Sequence, residues 1–113
     1  MNKRIVGARQ EQHAVDYLTE HGYRIVERNY RCRLGEIDII ASQDNTIVFI
    51  EVKYRSSSRY GTAIEAVDYR KQNIIRQVAQ YYLSSHCSGM EVPCRFDVIG
   101  FDKDQITYIT NAF

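Results

Sequence analysis

The chain has 113 residues, of which 44% are hydrophobic, and a formal net charge of +1. This length favours a single domain spanning residues 1–113, and the small net charge does not by itself indicate a polyanionic partner. Three widely spaced cysteines with no C-x-x-C pair argue against a disulfide framework or a thiolate zinc site.

The first predicted element is a helix over residues 2–21, ended by Gly22 at a position that suits a C′ residue. Its apolar residues recur at three- and four-residue steps and form one stripe. Glu11 lies within that stripe, where a carboxylate is costly unless something compensates it. Two interpretations stay open: Glu11 reaches solvent from the edge of the stripe, or it enters a functional site.

Three strands are predicted to follow this helix. Residues 23–30 alternate loosely and predict an edge or half-exposed strand, followed by a basic turn over 31–35. Residues 36–42 and 46–54 are rich in Ile and Val and flank a short polar segment. Together they predict a β-hairpin with its turn over 43–45.

A polar loop with two arginines is predicted over residues 55–62, and Asp68 then caps a helix that runs to about Ser85. Two final strands are predicted over residues 92–101 and 105–111. The element order is therefore α-β-β-β-α-β-β, with no internal repeat. The N-terminus has no apolar segment of the secretory kind, and no apolar run approaches membrane-spanning length, so a cytoplasmic protein is expected.

The polar residues of the hairpin follow a regular pattern. If the turn is centred on residues 44–45, Asp38 lies opposite Glu51 and Glu36 lies opposite Lys53. Side chains alternate between the faces of a strand, so these four residues share one face. The other face is apolar and can pack on a helix; it carries Ile37, Ile39, Ile50 and Val52.

Two opposed acids destabilise a strand pair unless a cation lies between them. Carboxylate oxygens suit Mg²⁺, so Asp38 and Glu51 are candidate metal ligands. Lys53 lies beside them, where an amine can orient an attacking water and neutralise charge on a phosphate. Glu36 can pair with Lys53 or support the metal ligands. The alternative is a solvated strand face with ordinary Glu/Lys pairing.

Charge is distributed unevenly along the chain. Segments 1–35 and 51–76 each carry a net charge of +3, whereas segment 36–50 carries −3. An acidic centre between two basic stretches suits a phosphodiester held around a metal, although ordinary surface charge explains the same pattern.

Several segments of the chain resemble the YraN family of uncharacterised bacterial proteins. That family in turn resembles the archaeal Holliday-junction resolvases and the restriction-endonuclease-like superfamily. Their signature is an acid, a gap and then acid-x-Lys, which corresponds here to Asp38 and Glu51-x-Lys53. The residues that carry the resemblance are Glu11, Gly35–Asp38, Phe49–Arg55, Lys71 and Arg95–Val98.

The resemblance implies an α/β (α+β) fold of the restriction-endonuclease-like kind, with a mixed central sheet flanked by helices. It implies that Asp38 and Glu51 bind Mg²⁺, or Mn²⁺ in its place, with help from the Val52 carbonyl. It further implies that Lys53 positions the water and that Glu11 matches the first-helix acid of the resolvases.

The leading hypothesis is a metal-dependent endonuclease that acts on DNA rather than RNA, including branched DNA. A four-way junction needs two cuts, so a homodimer is expected for that substrate. Two alternatives stay open: a non-catalytic nucleic-acid-binding module with the same fold, and an adaptor protein whose acids form internal salt bridges. The residues predicted to contact phosphates are Arg31, Arg33, Arg55, Arg59 and Lys71.

Overall fold

The computed structural model describes residues 3–55, 67–87, 91–102 and 105–113, without the side chains of residues 3–8, 55 and 102. Two helices and five strands follow one another in the predicted order, so the α+β class is confirmed. The elements are α1 (Lys3–Glu20), β1 (Arg24–Cys32), β2 (Gly35–Gln43), β3 (Thr46–Arg55), α2 (Tyr69–His86), β4 (Cys94–Asp102) and β5 (Gln105–Ile109).

The strands form one mixed sheet in the spatial order β1-β2-β3-β4-β5. Neighbouring strands are antiparallel except for β3 and β4, which are parallel. Parallel neighbours need a crossover connection, and α2 lies in the segment that joins them. Neither helix in the described part of the chain is long and apolar enough to cross a membrane.

Helix α1 covers one face of the sheet. Ala14 and Leu18, from its predicted apolar stripe, are fully buried against Ile39, Ile50 and Ile99. Burying a side chain as large as that of Leu18 contributes about 1.5–3 kcal/mol. Burial of this apolar stripe therefore holds α1 against the sheet.

Helix α2 covers the opposite face. Its buried Ile75 and Val78 pack with Ile40, Phe49 and Val98 in a second core. Successive residues in the middle of β2 and β3 pack alternately into the two cores, which explains why both faces of these strands are apolar there.

The turn between β1 and β2 is shorter than predicted. Cys32 pairs with Gly35, so only residues 33–34 lie outside the ladder and the predicted turn over 31–35 is wrong at both ends. Gly35 has φ +153°, and a Cβ there would lie 2.5 Å from Ile74 Cγ2 on α2. Glycine is required because the helix passes so close to the strand.

The turn between β2 and β3 is centred where the sequence predicts. Asp44 and Asn45 have φ of 50° and 65°, and Gln43 pairs with Thr46 across them. Two positive φ values in a two-residue loop indicate a type I′ turn, whose twist matches that of the strands.

Asp68 caps α2 as predicted, since its carboxylate accepts a 2.9 Å hydrogen bond from the Lys71 backbone N–H. Strand β4 begins at Cys94 rather than at residue 92, because Pro93 has no N–H to donate to a ladder. The last strand ends at Ile109, two residues before the positive-φ Asn111.

A buried acid in β4 ties the last two strands together. Asp97 is 0% exposed, and Arg95 Nε donates to both of its carboxylate oxygens at 3.1 and 3.0 Å. The Tyr108 hydroxyl and the Asn111 backbone N–H also donate to it. Arg95 Nη2 donates in addition to Tyr23 Oη. Every oxygen of this acid is satisfied, so its role is structural.

We expect Asp97→Asn to lower the free energy of unfolding by about 3 kcal/mol, because it removes the counter-charge of the half-buried Arg95 and turns an amide donor toward groups that donate to the buried carboxylate. Urea denaturation measures the change. Asp16→Asn is the control, since this exposed acid accepts a single exposed side-chain hydrogen bond among the described residues, from Gln12, and its loss should cost under about 0.5 kcal/mol. An Asp97→Asn cost as small as the control's would contradict the structural role.

Candidate metal and nucleic-acid site

The candidate site lies where β2 and β3 part. Their antiparallel ladder runs from the turn as far as Ile39 opposite Ile50 and pairs no residues beyond them. From there β2 continues beside β1, and β3 continues beside β4. Asp38 and Glu51 are the first residues past the end of the ladder, so their carboxylates lie in the space that opens between the strands.

Asp38 replaces one of the missing ladder bonds. Its Oδ2 accepts a 2.8 Å hydrogen bond from the Val52 backbone N–H. A buried strand N–H without a partner would be costly, so this bond holds the Asp38 carboxylate against β3. Burial raises the pKa of Asp38 above its ordinary value, and the Val52 N–H and the positive charge of Lys71 lower it in part.

Glu51 is a buried acid whose hydrogen bonding is incomplete. It is 5% exposed, and its Oε2 is buried with no hydrogen-bond partner. The Nζ atoms of Lys53 and Lys71 each lie 3.6 Å from its other oxygen, Oε1. Burial and then the charge of Asp38 raise the pKa of Glu51 to about 7, against the opposing effect of the two lysines.

The chemistry of these groups fits a divalent cation. Two carboxylates, one with an unpaired oxygen, offer the hard ligands that Mg²⁺ prefers. Residues 3–55, 67–87, 91–102 and 105–113 contain no group of three or more acidic, histidine or cysteine side chains that could hold a metal ion. Mg²⁺ commonly binds through one or two carboxylates and completes its shell with waters and phosphate oxygens, so two acids suffice.

Glu11 is not gathered with these two acids. Its Oε1 accepts hydrogen bonds from Arg28 Nε at 3.1 Å and from Asn29 Nδ2 at 2.9 Å. These two β1 side chains compensate the carboxylate at the edge of the α1 stripe. The expectation that Glu11 enters the same site is therefore not met in this structure, and a catalytic role for it stays a prediction.

The predicted pairing of Glu36 with Lys53 is wrong. Glu36 forms an ion pair with Arg31 at 2.9 Å, because β2 pairs with β1 at this level and no longer with β3. Lys53 pairs in register with Gly100 on β4 instead.

The predicted apolar face is also interrupted. Ile37 packs in the core beneath α2, whereas Ile39 packs in the core beneath α1. Regular alternation would place both on one face. The change falls at Asp38, which lies beside the positive-φ Asn29 of β1 (φ 53°).

Lys71 was predicted only as a phosphate contact, yet the structure places its amine at Glu51. A signal for this was present in the sequence. The first turn of α2 carries Arg70 and Lys71 and no acid, the reverse of what the helix dipole prefers. Cations placed there at a cost indicate an anionic neighbour.

The remaining predicted phosphate contacts divide into two groups. Arg31 and Arg33 are exposed at the β1–β2 turn, which is compatible with binding a phosphate backbone. Arg59 and the side chain of Arg55 lie outside the described residues, as does the polar loop predicted after β3.

A groove between α2 and β4, with a volume of about 470 Å³, is separate from the acids. Its lining includes Arg76, Gln80 and Cys94, and no acidic side chain. It therefore offers no ligand set for a metal.

Comparison with known proteins establishes the family. A model described as "Uncharacterised protein family UPF0102" matches residues 10–101, which include both acids and both lysines of the site. The chain belongs to the UPF0102 family, also called the YraN family.

Full-length relatives agree. The chain is 54% identical over 118 residues to a UPF0102 protein of Alkaliphilus oremlandii, with both chains covered completely. It is 50% identical over 119 residues to one of Caldicellulosiruptor bescii, again with complete coverage of both. It is 48% identical over 113 residues to one of Lachnoclostridium phytofermentans, covering 100% of this chain and 96% of the relative. These names state no activity.

The raised pKa of Glu51 predicts that this residue destabilises the protein at neutral pH. Ionisation at an ordinary pKa of 4.5 in the unfolded chain and at about 7 in the folded one costs stability as pH rises between these values. We expect Glu51→Gln to stabilise the metal-free protein above pH 7 by up to about 3 kcal/mol, and to lose this advantage below pH 4.5.

Thermal and urea unfolding of the metal-free protein across this pH range measures the difference. Asp44→Asn is the matched control, because Asp44 is an exposed acid in the turn of the same hairpin and Asn tolerates its positive φ. Equal pH profiles for Glu51→Gln and wild type would contradict the strained burial of Glu51.

Proposed function

We propose that this UPF0102 protein is a Mg²⁺-dependent endonuclease that hydrolyses phosphodiester bonds in DNA. One observation carries the proposal: Glu51 is buried beside Asp38 with an unpaired carboxylate oxygen, and the Lys53 amine lies 3.6 Å from its other oxygen. A strand built only for packing would carry an aliphatic residue at position 51, since a buried acid beside the half-buried Asp38 is repelled by it.

Each residue of the site has a defined part in this reaction. Asp38 and Glu51 would hold the cation, with the Val52 carbonyl as the third protein ligand implied by the superfamily signature. A cation held there would supply positive charge to the phosphate and would make a water more acidic. Lys53 orients the attacking water and stabilises the negative charge that develops on the phosphate oxygens.

Exposed arginines support a nucleic-acid substrate. Arg31 pairs in register with Glu36, two residues before Asp38 on β2, and Arg33 lies in the turn beyond it. The ion pair of Arg31 with Glu36 is 74% exposed on the arginine side, so it is weak and gives way to a phosphate. Such contacts fix the backbone of DNA without reading its sequence.

Branched DNA is the substrate that we propose within this class, by analogy with the resolvases that the acid-x-Lys signature resembles. One chain supplies one pair of acids, whereas resolving a four-way junction needs two opposed cuts. The proposal therefore includes a homodimer on that substrate.

We expect the purified protein to cleave labelled four-way-junction DNA in Mg²⁺ or Mn²⁺ and not in EDTA. Glu51→Gln should reduce the cleavage rate at least about a hundredfold, because it removes a ligand and a charge from the metal. Asp44→Asn, the exposed acid at the other end of the hairpin, should leave the rate within about twofold.

The same assay separates the alternatives when duplex and single-stranded DNA are run beside the junction. Metal-independent binding without cleavage would replace the enzyme with a nucleic-acid-binding module. Neither binding nor cleavage would favour the adaptor protein.

Salt dependence tests the basic turn. We expect Arg31→Gln/Arg33→Gln to weaken DNA binding and to reduce the slope of log K against log[salt] by about 2, one phosphate contact for each arginine. Fluorescence anisotropy in CaCl₂ measures the slope. The control is Arg24→Gln, which changes an exposed arginine at the far end of β1 and should leave the slope unchanged.

A further inference from the structure

Two acids and two lysine amines meet at the site. The Nζ atoms of Lys53 and Lys71 both lie 3.6 Å from one carboxylate oxygen, Glu51 Oε1, while Oε2 has no partner. A divalent cation held by Asp38 and Glu51 would repel both amines and compete with them for Glu51. The lysine that is held less firmly would therefore be displaced first.

Lys71 is the lysine better placed to leave. Its side chain is 37% exposed, compared with 26% for Lys53, so its amine has the easier path to water. At 3.6 Å the contact with Glu51 is an ion pair without a hydrogen bond. The backbone of Lys71 stays fixed, because its N–H donates to the Asp68 cap. The amine can therefore swing on its four-carbon stem while the helix remains in place.

The surroundings of Lys71 favour an anion as its next partner. It lies in the first turn of α2, where the helix dipole is positive, next to exposed Arg70 and with no acid in the turn. Glu51, the present partner of Lys71, is 95% buried from solvent and has an oxygen without a partner, which is an independent sign that a cation is missing beside it.

We propose that Lys71 is a displaceable counter-ion of Glu51. It neutralises Glu51 in the metal-free protein, is released when Mg²⁺ binds, and then contacts a phosphate of the DNA. The inference rests on the proposed function, and it assigns a sequence of events to that site: metal binding makes Lys71 available to the substrate.

The first experiment measures metal affinity without DNA. Mn²⁺ titration calorimetry is carried out on wild type, Lys71→Gln and the control Arg70→Gln, whose exposed cation is the immediate neighbour of Lys71 on α2. We expect Lys71→Gln to bind Mn²⁺ about tenfold more tightly, since the competing charge a few ångströms away is gone. Arg70→Gln should stay within about twofold of wild type.

The second experiment measures a phosphate contact that depends on the metal. Anisotropy of a fluorescein-labelled DNA junction is followed against salt, in CaCl₂ and in EDTA. In CaCl₂, Lys71→Gln should lower the slope of log K against log[salt] by about 1, and Lys71→Arg should restore it. In EDTA, where Glu51 holds the amine, the slopes of wild type and Lys71→Gln should coincide.

The outcomes separate this inference from the proposed function. If wild type binds Mn²⁺ but Lys71→Gln binds it equally or more weakly, Lys71 is not a counter-ion that the metal displaces, and the endonuclease proposal still stands. Equal slopes in CaCl₂ for the two proteins would remove the phosphate contact. If wild type binds no Mn²⁺, the proposed function and this inference are both overturned.

Discussion

The separation of β2 from β3 past Ile39 and Ile50 is the constraint on which the candidate site depends. Up to that point the two strands share a ladder. Beyond it β2 remains paired with β1, and β3 remains paired with β4. The hydrogen bond from the Val52 N–H to Asp38 Oδ2 compensates part of the lost pairing and holds the carboxylate in place. Asp38 and Glu51 are the first residues beyond the ladder, so the separation of the two strands places both acids at the candidate site.

Two buried acids in this small domain have opposite surroundings. Asp97 is surrounded by donors, including Arg95 and Tyr108, and no oxygen is left unpaired. Glu51 is almost as deeply buried, yet one of its oxygens has no partner and its pKa is raised to about 7. A satisfied acid stabilises a fold, whereas an unsatisfied one costs stability and is maintained where a ligand compensates it. This contrast is what distinguishes the structural acid from the functional candidate.

The two helices carry predicted site residues on opposite faces of the sheet. Helix α1 carries Glu11, whose carboxylate is bound by Arg28 and Asn29 of β1. Helix α2 carries Lys71, whose amine reaches Glu51. The Glu11 carboxylate is therefore compensated within the protein. The Lys71 amine lies at the candidate metal site, because α2 follows β3 in the connection to the parallel strand β4 and its first turn lies near Glu51.

Local physics is strong enough for the sequence by itself to determine the element order, the cap of α2 and the position of the hairpin turn at Asp44-Asn45. That turn sets the hairpin register, and with it the closeness of Asp38 and Glu51. The tertiary structure alone decided how far the register extends, because β3 pairs along its length with β4, which is distant in sequence, while β2 stays paired with β1. Strand alternation within the hairpin therefore could not give the ion pair of Glu36 with Arg31 of β1 or the reversal of Ile37. Lys71 reaches Glu51 from another element, and the acid-free first turn of α2 indicated an anionic neighbour without identifying it.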